Sequence, residues 1–166
     1  NVGRCPKIGE VEMNISDIIE PKPSEELIIK EEKMWNVKLP ISYREFIINN
    51  NGGIPEKRSF LCNNHEYVIN RFLCILEKTE NNVYGSYDID VVLTQIEDRL
   101  TDNEDLIGCE LLPIAQLFAG DYLCINFNNG NSEPSICVWS HEESGELEPV
   151  FYNVCESFNE FLKKLY

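Results

Sequence analysis

The chain has 166 residues, of which 43% are hydrophobic and 10% aromatic, and its net charge is −15. That apolar content excludes a disordered chain, and the length suits one domain with its own core. No apolar run approaches the roughly 20 residues of a membrane-spanning helix. Residues 1–14 lack the apolar core of a signal peptide, so we expect neither secretion nor membrane insertion.

The charge is distributed unevenly along the chain. Residues 1–78 carry 11 Lys and Arg against 12 Asp and Glu, whereas residues 79–162 carry a single base, Arg99, against 17 acids. A surface of that sign repels nucleic acid and anionic lipid, and it attracts basic partners most strongly at low salt. An acidic surface that serves solubility alone is the other interpretation.

Two helices are predicted between residues 24 and 50. Ser24 can cap the first, which carries Glu25 and Glu26 at the positive end of its dipole and ends near Val37. Its apolar face is formed by Leu27, Ile28, Met34 and Trp35. Pro40 suits the first turn of the second helix. The buried stripe of that helix is predicted to be Tyr43, Phe46 and Ile47.

Three asparagines and two glycines follow the second helix, at residues 49–53. A phosphate-binding loop needs the spacing GxxxxGK[ST] on the way from a strand into a helix. NNNGGIPEK follows a helix instead and lacks that spacing. Because asparagine and glycine tolerate positive φ, we interpret residues 49–53 as a helix stop that turns the chain toward the sheet.

Strands and two more helices are predicted beyond this turn. The runs RSFLC (58–62) and EYVINRFLCILEK (66–78) have strand composition. A helix capped by Asp88 follows, with apolar positions Ile89, Val92, Leu93, Ile96 and Leu100. Further strands are expected at 122–127, in SICVWSHE (135–142), and at 149–154, with a hairpin connection at 128–134. Ser157 and Glu160 form the capping box of a last helix. The order of elements predicts an α+β fold with a mainly antiparallel sheet.

The candidate chemical sites are weak. Cys62-x-x-His65 and Cys137-x-x-x-His141 could supply four zinc ligands, but their separation is unlike that of a compact zinc finger. The seven cysteines lack a CxxC pair and stand among apolar residues, which indicates reduced thiols and a cytosolic setting. With two histidines and no activated cysteine, we expect no catalysis, no metal and no cofactor.

Five segments together resemble a known family. LPISYREFIINNNGG (39–53) is similar to the LPxxYxxFLxxxNGG signature of SUKH-superfamily domains. LPIA (112–115), AGDYLCINF (119–127), SICVWSHE (135–142) and CESFNEFLKKL (155–165) then resemble the family's later segments, in the family's order. The likeness covers about Ser24 to Tyr166, which makes residues 1–23 an N-terminal arm. Asn126 departs from it, since many members carry an acid there.

The resemblance implies a domain that works by binding another protein. Bacterial SUKH members look like immunity proteins, which hold a toxin, often a nuclease, inactive in the cell that makes it. A role like that of the yeast cell-wall synthesis regulator is the alternative. We expect a basic toxin domain as the partner, with no binding of nucleic acid or membrane. The candidate contacts are Tyr87, Asp88, Glu97, Asp98, Asp121, Trp139, Glu142 and Glu143.

Overall fold

The structure is a computed structural model, and it describes residues 13–105, 109–128 and 133–166. Most of the predicted hairpin connection and residues 1–12 of the predicted arm lie outside these ranges. The helices are α1 (Glu25–Trp35), α2 (Ile41–Asn50), α3 (Ile89–Ile96) and α4 (Phe158–Lys164). The strands are β1 (Ile15–Ser16), β2 (Ile54–Pro55), β3 (Ser59–Cys62), β4 (His65–Phe72), β5 (Leu111–Leu117), β6 (Tyr122–Asn126), β7 (Ser135–Trp139) and β8 (Phe151–Cys155).

Six strands form one antiparallel sheet in the order β3-β4-β5-β6-β7-β8, and β1 pairs with β2 in a second, two-stranded sheet. Helices α2 and α4 contact each other, and α4 also packs on β7 and β8. The predicted α+β fold with a mainly antiparallel sheet is therefore confirmed. None of the helices in the described ranges is long and apolar enough to cross a bilayer.

Aromatic rings connect the helices to the sheet. Phe158 of α4 meets Tyr43 and Phe46 of α2 at centroid distances of 5.2 Å each. Phe161, one turn later, meets Phe60 of β3 at 5.1 Å. The rings of all three pairs meet edge-on, an arrangement that aromatic quadrupoles favour. The apolar stripes predicted for the second and last helices thus form the central part of the core.

Helix caps occur where the sequence predicts them. The side chain of Ser24 accepts a hydrogen bond from the Leu27 N–H at the start of α1. The Asp88 carboxylate accepts from the N–H groups of Asp90 and Val91 at the start of α3. The Ser157 hydroxyl accepts from the Glu160 N–H at the start of α4. The Glu160 carboxylate reaches back to the N–H of Glu156, one residue before the usual partner in a capping box. The apolar face predicted for α1 is wrong at Met34, which is 59% exposed.

Strand β5 was not predicted as a strand, because Pro113 interrupts its apolar run. The proline is accommodated at a register shift between Pro113 and Ala115, where β5 pairs with β6. Six of its seven residues are buried, with Gln116 the half-exposed one. The predicted strand 66–78 is too long: β4 ends at Phe72, and Cys74 instead forms an isolated bridge with Asp88.

The turn after α2 holds the N-terminal segment against the sheet. Asn51 is fully buried, and its amide donates to the carbonyls of Ile19 and Ile75 while its oxygen accepts from the Ile75 N–H at 2.8 Å. The sequence predicted that residues 49–53 turn the chain by adopting positive φ. Of these five residues, only Gly52 does so, with a φ of +63°. A Cβ at Gly52 would lie 2.9 Å from that of Cys74. Residues 49–53 therefore end helix α2 and also hold the N-terminal segment against the sheet.

Arg71 of β4 holds the same N-terminal segment through further hydrogen bonds. Its guanidinium donates to the Gly52 carbonyl at 2.7 and 2.9 Å and to the Asp17 carbonyl at 2.9 Å. The same group lies over the rings of Tyr84 and Tyr87, 5.4 and 4.9 Å from their centroids. A buried arginine satisfied in this way joins the N-terminal segment to the loop before α3.

Candidate partner-binding surface

The only basic residue of the acidic half of the sequence points into the protein. Arg99, in the 3-10 turn Glu97–Arg99, donates to the carbonyl oxygens of His141 and Ser144, the second at 2.9 Å. Its guanidinium lies 5.1 Å from the ring centroid of Trp139. The positive charge of Arg99 therefore fixes the backbone after β7 and neutralises no specific carboxylate.

Two backbone contacts bring the surrounding acids together. The Leu147 N–H donates to the Asp98 carbonyl at 2.6 Å, and the His141 N–H donates to the Asp121 carboxylate at 2.8 Å. The 3-10 turn, the start of β6 and the loop 140–148 thus meet at one end of the sheet. We name the carboxylates of these three segments the acidic rim: Glu97, Asp98, Asp121, Glu142, Glu143, Glu146 and Glu148; Glu97 also lines a second cleft, described below.

The acidic rim is largely exposed, and none of its carboxylates is in an ion pair described for this chain. All five of its glutamates are exposed, and its two aspartates are half-buried. The ion pairs found in the described part of the chain, Arg44 with Glu32 and Arg71 with Asp17, involve none of the rim carboxylates. Like charges on neighbouring segments add to the negative potential outside the surface.

A groove of about 500 Å³ runs along the acidic rim. Asp121, Glu142 and Glu143 line it, together with Tyr67 of β4 and Tyr152 of β8. The Tyr152 hydroxyl donates to the Glu143 carboxylate, and this hydrogen bond is the main reason why the pKa of Tyr152 is raised. Burial raises the pKa of Tyr67, with smaller contributions from Cys62, Asp121 and Glu143. We name this feature the rim groove.

Sequence reasoning missed the two tyrosines of the rim groove. Tyr67 lies on β4 and Tyr152 on β8, 85 positions apart in the sequence and on strands that are not neighbours in the sheet order. The sheet curls so that β3 and β8 approach each other, with the Cys62 thiol 3.4 Å from the Asn153 carbonyl. A local sequence pattern carries no signal of that closure.

The structure places the eight predicted contacts in different environments. Glu97, Asp98, Asp121, Glu142 and Glu143 belong to the acidic rim. Trp139 is 0% exposed and Asp88 is 2% exposed, so these two side chains offer no surface to a partner and are removed from the set. Asp88 is instead a helix cap that also accepts from the Leu76 N–H at 2.8 Å. Tyr87 is half-buried against Arg71, away from the rim.

A second cleft, of about 300 Å³, lies between α1, α3 and β5. The Trp35 indole donates to the Asp90 carboxylate there at 2.7 Å. Behind it Glu31 is only 5% exposed, and one of its oxygens has no partner among the described residues. The pKa of Glu31 is raised to about 8. Burial is the largest cause, and the neighbouring Asp90 carboxyl is the second. Glu31 is therefore largely protonated at neutral pH.

The cysteines and histidines considered as zinc ligands are dispersed. Within the described ranges, no three His, Cys, Asp or Glu side chains are grouped so as to hold a metal ion. Burial raises the pKa of Cys137 to about 12 and that of Cys109 likewise to about 12. Thiols of this kind are poor nucleophiles and poor metal ligands at neutral pH.

The fold and this surface define an α+β domain with an acidic, partly aromatic face. A family model described as SUKH_6, SMI1-KNR4 cell-wall, matches residues 25–162. Since the match spans most of the chain, the protein belongs to the SUKH superfamily. A search of curated proteins and a search of solved structures each gave no match.

Proposed function

We propose that the protein is a bacterial immunity protein that binds and neutralises a basic, nuclease-type toxin through the acidic rim. One observation carries the proposal. Seven carboxylates meet at one end of the sheet, while the nearby Arg99 is turned toward backbone carbonyls. Such a surface is complementary to one that binds phosphate.

Charge explains how the rim would block such a toxin. A nuclease must present Lys and Arg side chains to the phosphate backbone, and those side chains supply most of its affinity for nucleic acid. A partner with opposite charge is steered to the same surface at a high association rate, particularly at low salt. The rim then occupies the place that the phosphates would take.

Exposed ion pairs alone do not provide tight binding. Each contributes only about 0.2–1 kcal/mol, because solvent and salt screen the charges. Stable inhibition therefore also requires side chains that lose water at the centre of the interface. The rim groove, with its two tyrosines, supplies such a centre.

In this role the protein acts by binding, without catalysis and without a cofactor. It acts in the cytoplasm, where a nuclease would damage the cell that makes it and where free thiols stay reduced. Six of the seven cysteines fall in the described ranges, and all six are free.

Co-expression tests the proposal directly. The protein is produced together with each candidate toxin encoded at the same locus, and rescue of growth and a purified complex are the expected results. The variant E97Q/E142Q/E146Q, which changes exposed side chains with no described hydrogen bond, should weaken the complex and its salt dependence. The matched control E45Q/E77Q/E80Q changes as many exposed acids outside the rim and should bind like the wild type. Absence of rescue and of any complex would refute the immunity role.

The description of the family model favours a second candidate, a regulator of cell-wall synthesis. In that role the partner is a protein of the same cell, and no toxin is involved. Deleting the gene in a strain that lacks the neighbouring toxin distinguishes the two. Altered sensitivity to wall-directed antibiotics would favour the regulator, and unchanged sensitivity favours immunity.

A further inference from the structure

We infer that the rim groove is a subsite for an arginine side chain of a protein partner. The inference deepens the proposed function by naming one contact that the toxin makes, and it rests on that function for the identity of the partner. The inferred ligand is an arginine side chain, not a lysine. The inferred binding site is the rim groove, not the rest of the acidic rim.

Two of the three carboxylates of the groove are held in position before a partner arrives. One oxygen of Asp121 accepts from the His141 N–H at 2.8 Å, and Glu143 accepts from the Tyr152 hydroxyl. Glu142 is exposed and makes no described hydrogen bond. Oriented carboxylates of this kind suit a guanidinium, which donates through several N–H groups in a fixed plane.

The tyrosines favour the same ligand. The Tyr67 ring is fixed by its neighbours: the Phe60 ring covers one face in a stack at 5.5 Å, and the ring of His65, which also lines the groove, meets it edge-on at 4.8 Å. A planar guanidinium stacks on an aromatic face, whereas an ammonium is a compact and strongly hydrated charge. The exposed parts of Tyr67 and Tyr152, beside carboxylates that line the same groove, therefore favour a guanidinium over an ammonium.

The size of the groove and the local charge are consistent with this occupant. A volume of about 500 Å³ accommodates an arginine side chain and part of the neighbouring peptide. Among the described residues, the cation closest along the chain to the groove-lining loop is Arg99, and its guanidinium is engaged by the carbonyls of His141 and Ser144. Among the described residues that line the groove there is no Lys or Arg, and the basic side chain that lines it is the imidazole of His65.

Short peptides test the inference without any toxin. Acetyl-Gly-Arg-Gly-amide is titrated into the protein at low salt and followed by NMR, beside the analogues with lysine and with citrulline. We expect the arginine peptide to bind at least about fivefold more tightly than either analogue, with the shifts centred on Tyr67 and Tyr152. Equal binding of the arginine and citrulline peptides would overturn the inference.

Two double variants separate the groove from the rim as a whole. E142Q/E143Q changes groove carboxylates, and E146Q/E148Q removes the same charge from the same loop outside the groove. The first should weaken arginine-peptide binding by about tenfold, and the second by about twofold or less. Equal losses would show attraction by net charge and would overturn the subsite.

The two proposals fail in different ways. If the toxin binds with equal affinity to the wild type and to E142Q/E143Q, the arginine subsite is wrong while the immunity function stands. If no toxin is bound but the arginine peptide shows the expected preference, the immunity function is wrong and the subsite stands.

Discussion

The indole N–H of Trp139 donates to the Arg99 carbonyl at 2.9 Å, while the Arg99 guanidinium lies over the Trp139 ring at 5.1 Å. Each residue thus holds the other, although 40 positions separate them in the sequence. The buried tryptophan orients the arginine, and the arginine orients the loop that carries Glu142 and Glu143. The rim depends on this pair.

The first prediction concerns Arg99. Arg99→Lys keeps the charge but cannot reach both the His141 and Ser144 carbonyls in the same plane. We expect a loss of about 1–3 kcal/mol in the free energy of unfolding, measured in urea. The amide of Leu147, which donates to Asp98, should also exchange faster with deuterium.

Arg44→Lys is the control for this prediction. Arg44 lies on α2 in an ion pair with Glu32 at 2.7 Å. Its replacement should leave the exchange of the Leu147 amide unchanged. The same acceleration in both variants would mean that Arg99 does not hold the loop.

The second prediction distinguishes two residues of the asparagine triplet. Asn51→Ala leaves the buried carbonyls of Ile19 and Ile75 and the Ile75 N–H without their partner. We expect a loss of roughly 2–4 kcal/mol in the free energy of unfolding. Asn49→Ala removes one exposed hydrogen bond to the Glu45 carbonyl and should cost under about 1 kcal/mol. Denaturant titrations measure both losses. Similar losses for Asn51→Ala and Asn49→Ala would contradict the role of the buried Asn51 side chain in holding the N-terminal segment.

The third prediction concerns pH and Glu31. The pKa of Glu31 is raised from 4.5 to about 8, so the folded state binds more protons than the unfolded state between these values. The contribution of this group to stability is therefore complete below pH 4.5 and is lost as the pH rises to about 8. The neighbouring Asp90 and Asp88 strengthen the effect and Lys30 opposes it.

Glu31→Gln mimics the protonated carboxyl at every pH. We expect the variant and the wild type to be equally stable near pH 5, and the variant to be more stable by roughly 2 kcal/mol or more near pH 9. Thermal unfolding across this range measures the difference. A constant difference between the two proteins would show that Glu31 titrates alike in the folded and unfolded states.

The fourth prediction concerns the paired thiols of the sheet. Cys124 and Cys137 are directly opposite each other on β6 and β7, and both are 0% exposed. Burial raises the pKa of each thiol. A thiol reagent at pH 8 should therefore modify them at least about a hundredfold more slowly in the native protein than in urea. Mass spectrometry of the modified peptides identifies the sites, and rapid native modification would contradict the burial.

The sequence predicted the local parts of the fold well. Capping by Ser24, Asp88 and Ser157 depends on hydrogen bonds within a few residues, so its signal is contained in short segments. The buried stripe of α2 has the same origin, because helical periodicity shows in the order of residues. Strand β5 was missed because Pro113 is a poor strand residue, and only pairing with β6 through a register shift accommodates it.

The candidate surface was predicted in its charge and in five of its carboxylates, Glu97, Asp98, Asp121, Glu142 and Glu143, but not in its tertiary arrangement. The sequence by itself determined that residues 79–162 are acidic, where the helices begin, and that the chain resembles the SUKH superfamily. The tertiary structure alone decided that Asp88 and Trp139 are buried, that Arg99 points inward, and that Tyr67 and Tyr152 border the same groove. The physical reason is separation along the chain: each of these outcomes depends on contacts between residues that are not neighbours in the sequence, and the shared groove of Tyr67 and Tyr152 also needs the approach of β3 to β8.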